Sequence, residues 1–302
     1  MAEPQRTTMQ DVRCPACLSE ALDRFARFRD GTFFRCRGCG LLFSPDLEPL
    51  KRDGLQRSAV VTALQPLREL NFARILDHLA TLYPKGARLL EIGSSTGVFL
   101  DMAAQRGFDV YGIEPDPFFT EISMQRYPRL ASKVQSGYFP ATRPPGTFDI
   151  ICFNDVFEHI PDAPSIMTGS RDLLSPGGCV SLSIPASEGF FFHVATAAHR
   201  VSFDYPLVRM LQLDFPFPHL YYFGVDSMRA LADRLGMTMK SYSPLQILTA
   251  DTIEARFAMD SRPITGLGIR VALAHVLFAF YQACPPAWIR PDLLHFVLTR
   301  RS

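Results

Sequence analysis

Two hydrophobic rhythms run through this chain. Between Pro66 and Leu82 the apolar residues Leu67, Leu70, Ala73, Ile75, Leu76, Leu79 and Leu82 recur at helical spacing, and Pro84 and Gly86 end the pattern, which predicts one helix. Beyond it, short apolar runs predict strands near 88–92, 109–113, 133–137, 148–153 and 179–184, and the stretches around them predict helices beginning near 97, 117, 163 and 226. Leu89, Leu90 and Ile92 give the first strand a core suited to burial on both faces. This alternation implies a parallel sheet covered by helices on each side, a doubly wound α/β core.

The segment Glu91-Ile92-Gly93-Ser94-Ser95-Thr96-Gly97 passes from strand to helix through two glycines, which let the backbone turn tightly and approach a ligand. About 20 residues on, Gly112-Ile113-Glu114 ends the second strand in an acid, the arrangement that hydrogen-bonds ribose hydroxyls in nucleotide-binding α/β folds. Glu-x-Gly-x-x-x-Gly after a strand, followed by Gly112-Ile113-Glu114-Pro115-Asp116, resembles the cofactor motifs of class I S-adenosylmethionine-dependent methyltransferases. Phe148-Asp149-Ile150-Ile151-Cys152-Phe153-Asn154-Asp155-Val156-Phe157-Glu158-His159-Ile160 is similar to the family's fourth strand and loop, and Leu173-Leu174-Ser175-Pro176-Gly177-Gly178 to the turn before its fifth. The similarity covers residues 66 to 245 and departs from the family at Ser95, where glycine is common.

The resemblance implies a Rossmann-like methyltransferase sheet of seven strands, with Met237 to Tyr242 in the strand before the last and Leu294 to Thr299 in an antiparallel final strand. It implies S-adenosyl-L-methionine as cofactor, held by Glu91, Gly93, Ser95, Gly97, Glu114, Pro115, Asp116, Asn154 and Asp155. Glu91 would lie near the cationic amino group, Glu114 at the ribose, and Asn154 and Asp155 toward the methionine part.

Cysteine usage adds a second module. Of seven cysteines, four form the pairs Cys14-Pro15-Ala16-Cys17 and Cys36-Arg37-Gly38-Cys39, flanking residues 18–35. That spacing suits a four-thiolate zinc ribbon, so Cys14, Cys17, Cys36 and Cys39 are the candidate ligands of one structural Zn2+. Disulfides are disfavoured by a reducing compartment, and a redox Cys-x-x-Cys by the doubled pattern. The polar start Met1-Ala2-Glu3-Pro4-Gln5-Arg6 lacks a secretory signal, which makes the cytoplasm the default compartment. The chain then divides into a disordered tail (1–10), a small N-terminal zinc ribbon (11–45) with short strands at 32–35 and 41–43, a linker (46–65) and the methyltransferase domain (66–302).

Two stretches exceed a minimal domain. Residues 187–223 are dense in Phe and Tyr and sit where the family builds its substrate lid. Residues 248–291 include the apolar run 268–280, which Arg270 and His275 interrupt and which falls short of the ~20 residues a spanning helix needs. A buried or substrate-facing helix is expected there rather than an integral membrane span, with peripheral membrane contact left open.

Methyl transfer needs alignment and exclusion of water more than covalent help. The candidate catalytic residues are His219, before the helix near 226, and His159, which a neighbouring carboxylate could orient or which could simply support its loop. Tyr221 and Tyr222 are expected beside His219 in the substrate pocket. A net charge of +1 gives no global field for a polyanion, and within 11–45 the arginines at 13, 24, 27, 29, 35 and 37 are offset by Asp11, Glu20, Asp23 and Asp30. The expectation is therefore methyl transfer to a small, partly apolar metabolite or natural product. The alternatives are an RNA methyltransferase that uses the ribbon for RNA contact and a non-catalytic cofactor-binding protein, with the ribbon also available to a protein partner.

Overall fold

The computed structural model describes residues 12–47, 64–258, 267–284 and 289–301. The expected tail at 1–10 and most of the expected linker at 46–65 lie outside these residues; Gln65 already belongs to the first helix. In the N-terminal module, β1 (Leu22–Phe28), β2 (Gly31–Cys36) and β3 (Leu42–Phe43) pair antiparallel in that order. β2 and β3 match the expected strands. β1 has no counterpart in the sequence reading, because Asp23, Arg24 and Arg27 break its apolar rhythm.

Helix α1 (Gln65–Leu82) leads into β4 (Arg88–Ile92), α2 (Val98–Gln105), β5 (Asp109–Glu114), α3 (Pro117–Arg126), β6 (Val134–Ser136), β7 (Phe148–Asn154), α4 (Ala163–Leu173) and β8 (Leu174–Pro185). After α5 (Phe190–Arg200), α6 (Tyr205–Met210) and β9 (Tyr221–Tyr222), the chain continues through α7 (Val225–Arg234), β10 (Met237–Pro244), α8 (Ala250–Ala258) and α9 (Leu267–Ala283) to β11 (Leu293–Arg300). The main sheet has seven strands in the order β10-β11-β8-β7-β4-β5-β6. β4 to β8 are parallel, and β11 slots antiparallel between β8 and β10.

Strand alternation divides the core between two faces. Leu89, Ile150 and Cys179 meet Ile75, Leu76 and Leu79 of α1, whereas Leu90, Ile151 and Val180 join the cluster on the other side. The expected strand at 179–184 begins earlier. Leu174 already pairs with Phe148, and the backbone then kinks through Gly177, whose φ of 79° favours glycine.

Two expectations need correction. The N-terminal module is not a separate appendage, since Phe33, Phe34 and Phe43 belong to the same buried cluster as the Leu90 face of the sheet. β9 pairs with β3, setting Leu42 against Tyr222 and Phe43 against Tyr221. Phe25 stacks on Phe192 of α5 at 6.2 Å, and Arg234 of α7 donates to the carbonyls of Ala16 (3.0 Å) and Pro15 (2.5 Å). The second correction concerns α9, where Ile269, Leu273, Val276 and Phe280 are exposed at i, i+4, i+7 and i+11. The helix is thus neither buried nor turned into the site along that face. Among the described residues no helix is long and apolar enough to cross a membrane.

The shared β3–β9 edge yields a prediction. Removing residues 1–45 should leave Tyr221 and Tyr222 without their strand partner and uncover Phe192. Hydrogen exchange at amides 219–223 is then expected to rise at least ~100-fold while amides of β4 and β5 keep their protection. Unchanged exchange at 219–223 would mean that the module does not support this segment.

Candidate active site

The carboxyl edge of the parallel strands gathers the acids that the sequence singles out, as expected for an open α/β sheet. Glu91, one residue before the end of β4, is 2% exposed, and its Oε1 accepts from Asn154 Nδ2 at the end of β7 (2.9 Å). Among the described residues Glu91 Oε2 and Asn154 Oδ1 have no hydrogen-bond partner and are buried, as are Ser94 Oγ and Ser95 Oγ. Burial pushes the Glu91 carboxyl up to about 8; the Asn154 hydrogen bond pulls it back and the nearby Glu114 carboxylate pushes it further up. Glu114, ending β5, accepts from Ser95 N (2.8 Å) and Asp116 N (2.9 Å), so one carboxylate fixes two turns. Ser95 takes a φ of 46°, and turns as glycine would.

The loop after β7 carries the second group. Asp155 (φ 54°) accepts from Ser183 Oγ at 3.3 Å and pairs with Arg68 Nε at 3.5 Å. His159 Nδ1 donates to the Pro218 carbonyl at 2.9 Å, which leaves Nε2 bare. His219 Nδ1 meets Tyr222 Oη at 3.0 Å, and because that hydroxyl donates to the Met210 carbonyl, His219 must donate through Nδ1 and likewise leave Nε2 bare. The two imidazole rings are 4.8 Å apart. Burial lowers His159 to about 4 and His219 well below its usual value, the latter also through its neighbour His159. Burial and the Asp155 charge raise Glu158 well above the carboxylate range. Ligating atoms of Glu158, His159 and His219 fall within 4.8 Å of one another and could hold a cation.

Both groups open on one cavity of about 710 Å3. Glu91, Gly93, Ser95, Glu114, Pro115, Asp116, Asn154, Asp155, His159 and His219 all line it. Gly97 does not. A Cβ there would meet Ser123 Oγ at 2.1 Å and one at Gly93 would meet Val156 Cγ2 at 2.6 Å, so these glycines serve chain packing, not only ligand approach. Asp116 also caps α3 by accepting from Phe118 N (3.1 Å). His159 is oriented by a backbone carbonyl rather than by a carboxylate. Tyr222 lines the cavity, but Tyr221 is turned away to donate to the Pro161 carbonyl (2.6 Å).

Arg68, Arg209 and Arg256 also line the cavity and were not among the expected site residues. A signal for one existed. Arg68 and Asn71 fall on the inward face of α1 beside Leu67 and Ile75, where helical spacing calls for apolar residues. Away from the cavity, the four Sγ atoms of Cys14, Cys17, Cys36 and Cys39 lie within 4.8 Å of one another, with Cys14–Cys39 and Cys17–Cys36 at 3.5 Å. Ligands at ~2.3 Å in a tetrahedron stand about 3.8 Å apart, so this donor set fits one zinc ion. Its contact with Cys39 drives the Cys14 thiol down to about 5 and the Cys39 thiol up, a conflict that a cation binding all four thiolates removes.

Comparison with known proteins agrees with this geometry. The family model described as a methyltransferase domain matches residues 66–242. A ubiquinone biosynthesis O-methyltransferase of Xanthomonas axonopodis pv. citri (strain 306) is 32% identical over 123 residues, covering 39% of this chain and 52% of that protein. The protein of the same name from Pseudomonas aeruginosa (strain UCBPP-PA14) is 32% identical over 127 residues, 39% of this chain and 53% of its own. The chain thus spans about half the length of the curated relatives it matches. A solved geranyl diphosphate methyltransferase in complex with SAM shares the fold, with a TM-score of 0.50 at 17% identity over 83% of this chain and 92% of that chain.

The buried Glu91 gives a prediction about stability. A carboxyl raised to about 8 in the folded chain adds stability that is full below its unfolded value near 4.5 and is lost as pH rises through 8. Glu91→Gln keeps an acceptor for Asn154 but cannot ionise. Relative to the parent it should gain about 1.4 kcal/mol per pH unit between pH 5 and 8. Thermal melts of both proteins across that range check this, and parallel pH profiles would mean that Glu91 is ionised at no cost.

Proposed function

The chain belongs to the methyltransferase domain family, and on that footing we propose that it transfers a methyl group from S-adenosyl-L-methionine to a hydroxyl of a small, partly apolar acceptor. The observation that carries this is the single cavity joining the Glu91–Glu114 edge to the bare Nε2 atoms of His159 and His219. When bound, the cofactor supplies an electrophilic methyl group on a sulfonium. Its cationic amino group would draw Glu91 into the ionised form, and Glu91 Oε2 and Asn154 Oδ1, buried and without a partner among the described residues, then suit it as acceptors. Glu114, held by Ser95 N and Asp116 N, retains lone pairs for ribose hydroxyls.

On the acceptor side, His219 is the general base in this reading. The Tyr222–Met210 relay fixes its tautomer, and burial keeps the ring neutral, so Nε2 can take a hydroxyl proton throughout the neutral range. The names of the curated relatives, O-methyltransferases, support a hydroxyl acceptor. Phe215, Phe217 and Ile160 give the same cavity apolar walls, which suits an acceptor with an apolar part and keeps water away. The four-cysteine cluster we assign to a structural zinc ion, which would brace the module that pairs with β9.

His219→Ala is expected to lower kcat ~100-fold with affinity for S-adenosyl-L-homocysteine nearly unchanged, whereas His159→Ala should act mainly on stability or cofactor affinity. Because the base titrates well below 6.5, kcat of the parent should stay flat from pH 8 down past 6.5 and fall only in more acidic buffer. An acid limb centred at 6.5, or full activity of His219→Ala, would remove this histidine from the chemistry.

For the metal, elemental analysis of protein purified without chelator should find about one zinc per chain, lost in Cys17→Ser together with the protection of amides 219–223. Zinc-free protein with native stability would overturn the assignment.

A further inference from the structure

Among the described residues one charged group in the cavity has no counter-ion, and the reading above does not use it. Arg256 of α8 donates from Nη2 to the Ile247 carbonyl (2.8 Å), while its Nε is buried with no partner. Among the described residues no carboxylate comes within ion-pair distance of it. The other charges nearby compensate it only in part, since Asp155 acts on it from beyond ion-pair distance. Asp155 is paired with Arg68, and burial favours the neutral form of Glu158 and of both histidines. Arg209, a second guanidinium on the cavity wall, donates from Nη2 to the Arg256 carbonyl (2.6 Å) and lies 4.6 Å over the Phe215 ring. Its like charge, after burial, helps lower Arg256 to about 10, so the group still carries its charge at neutral pH. A guanidinium buried beside another cation is disfavoured unless an anion joins it.

Resting on the methyl-transfer reading, we propose that the acceptor carries an anionic group, a carboxylate or a phosphate, which docks on Arg256 with Arg209 beside it. The same contact would point the acceptor's apolar body along Met210, Phe215 and Phe217 and bring a hydroxyl toward His219. Arg256 is then a specificity-determining residue. Its brace is built into the fold, because Ile247 follows Gln246, whose backbone N–H and carbonyl are both held by Asn71 of α1 at 2.9 and 2.8 Å.

The test uses the full chain saturated with S-adenosyl-L-homocysteine and calorimetry with four probes of one tail length: octanoate, octyl phosphate, octanol and octylammonium. Octanoate or octyl phosphate should bind at least ~10-fold more tightly than octanol, the value of one charge-assisted hydrogen bond, and octylammonium least. Which of the two anions binds better tells carboxylate from phosphate. The preference should fall below about 2-fold in Arg256→Gln and return in Arg256→Lys, with melting temperature and homocysteine-product affinity recording that each variant is folded. Equal binding of octanol and the anions by the parent overturns the proposal without any variant. So does a loss of cofactor-product affinity in Arg256→Gln with the anion preference intact, since Arg256 would then serve the cofactor. Failure of the parent to bind S-adenosyl-L-homocysteine at all would instead remove the methyl-transfer reading itself.

Discussion

The peptide groups of Leu220 hold the two halves of this molecule in register. Its carbonyl accepts from Ser44 N of the N-terminal module at 3.0 Å, and its N–H donates to the carbonyl of Glu158, in the loop after β7, at 2.8 Å. One residue earlier, His219 N donates to the Leu211 carbonyl, and one residue later β9 pairs with β3. The segment that carries His219 and Tyr222 is thereby clamped on one side by the N-terminal module and on the other by the loop that carries His159. A two-residue strand is marginal in isolation. Here it persists because Leu220 and the His219 N–H have backbone partners beside it and because Phe192 and Tyr222 pack ring to ring at 4.7 Å.

That clamp sets the electrostatics of the site. By closing over Glu158, His159 and His219 it removes water from three titratable groups, and desolvation then drives each toward its neutral form. Neutral imidazoles with Nδ1–H committed to protein acceptors have a single free lone pair each, which is what proton abstraction requires. On the other side of the cavity Glu91 is raised by the same desolvation, but its neighbour Asn154 favours the ionised form. The cavity wall is therefore poised rather than fixed in charge. Arg256 departs from this pattern, since a guanidinium cannot shed its proton near neutral pH.

The half of the site proposed for the cofactor was legible in the sequence, because its residues lie at strand ends a fixed distance along a local motif. Glu91, Ser95, Glu114, Asn154 and Asp155 could all be named from spacing and resemblance, and the sheet places all of them on one cavity. The acceptor half was only partly legible. His159 and His219 could be named, but not that they meet 4.8 Å apart, since residues 160 to 218 separate them and contacts at such range leave no period to read. Arg209 and Arg256 sit in insertions where the fold sets no expectation for any one side chain. α9 misled for a different reason: its apolar content is real, yet Ile269, Leu273, Val276 and Phe280 face outward, and composition does not say which way a helix turns.

The division between a legible and an illegible half follows the construction of the molecule. The parallel strands and their turns make one binding edge that any chain of this topology presents, whereas the wall around His219 is built largely from α1, the aromatic segment, which the N-terminal module braces at β9, and α8. Changes in those elements can alter the acceptor without disturbing Glu114 or its two backbone donors. The reverse does not hold. Ser95 and Asp116 depend on a single carboxylate, and a side chain at Gly97 would run into Ser123, so this edge tolerates little substitution even at a position that does not line the cavity. Specificity can therefore be read most directly from the charged residues that the insertions bring to an otherwise apolar wall, and Arg256 is one whose buried donor has no partner among the described residues.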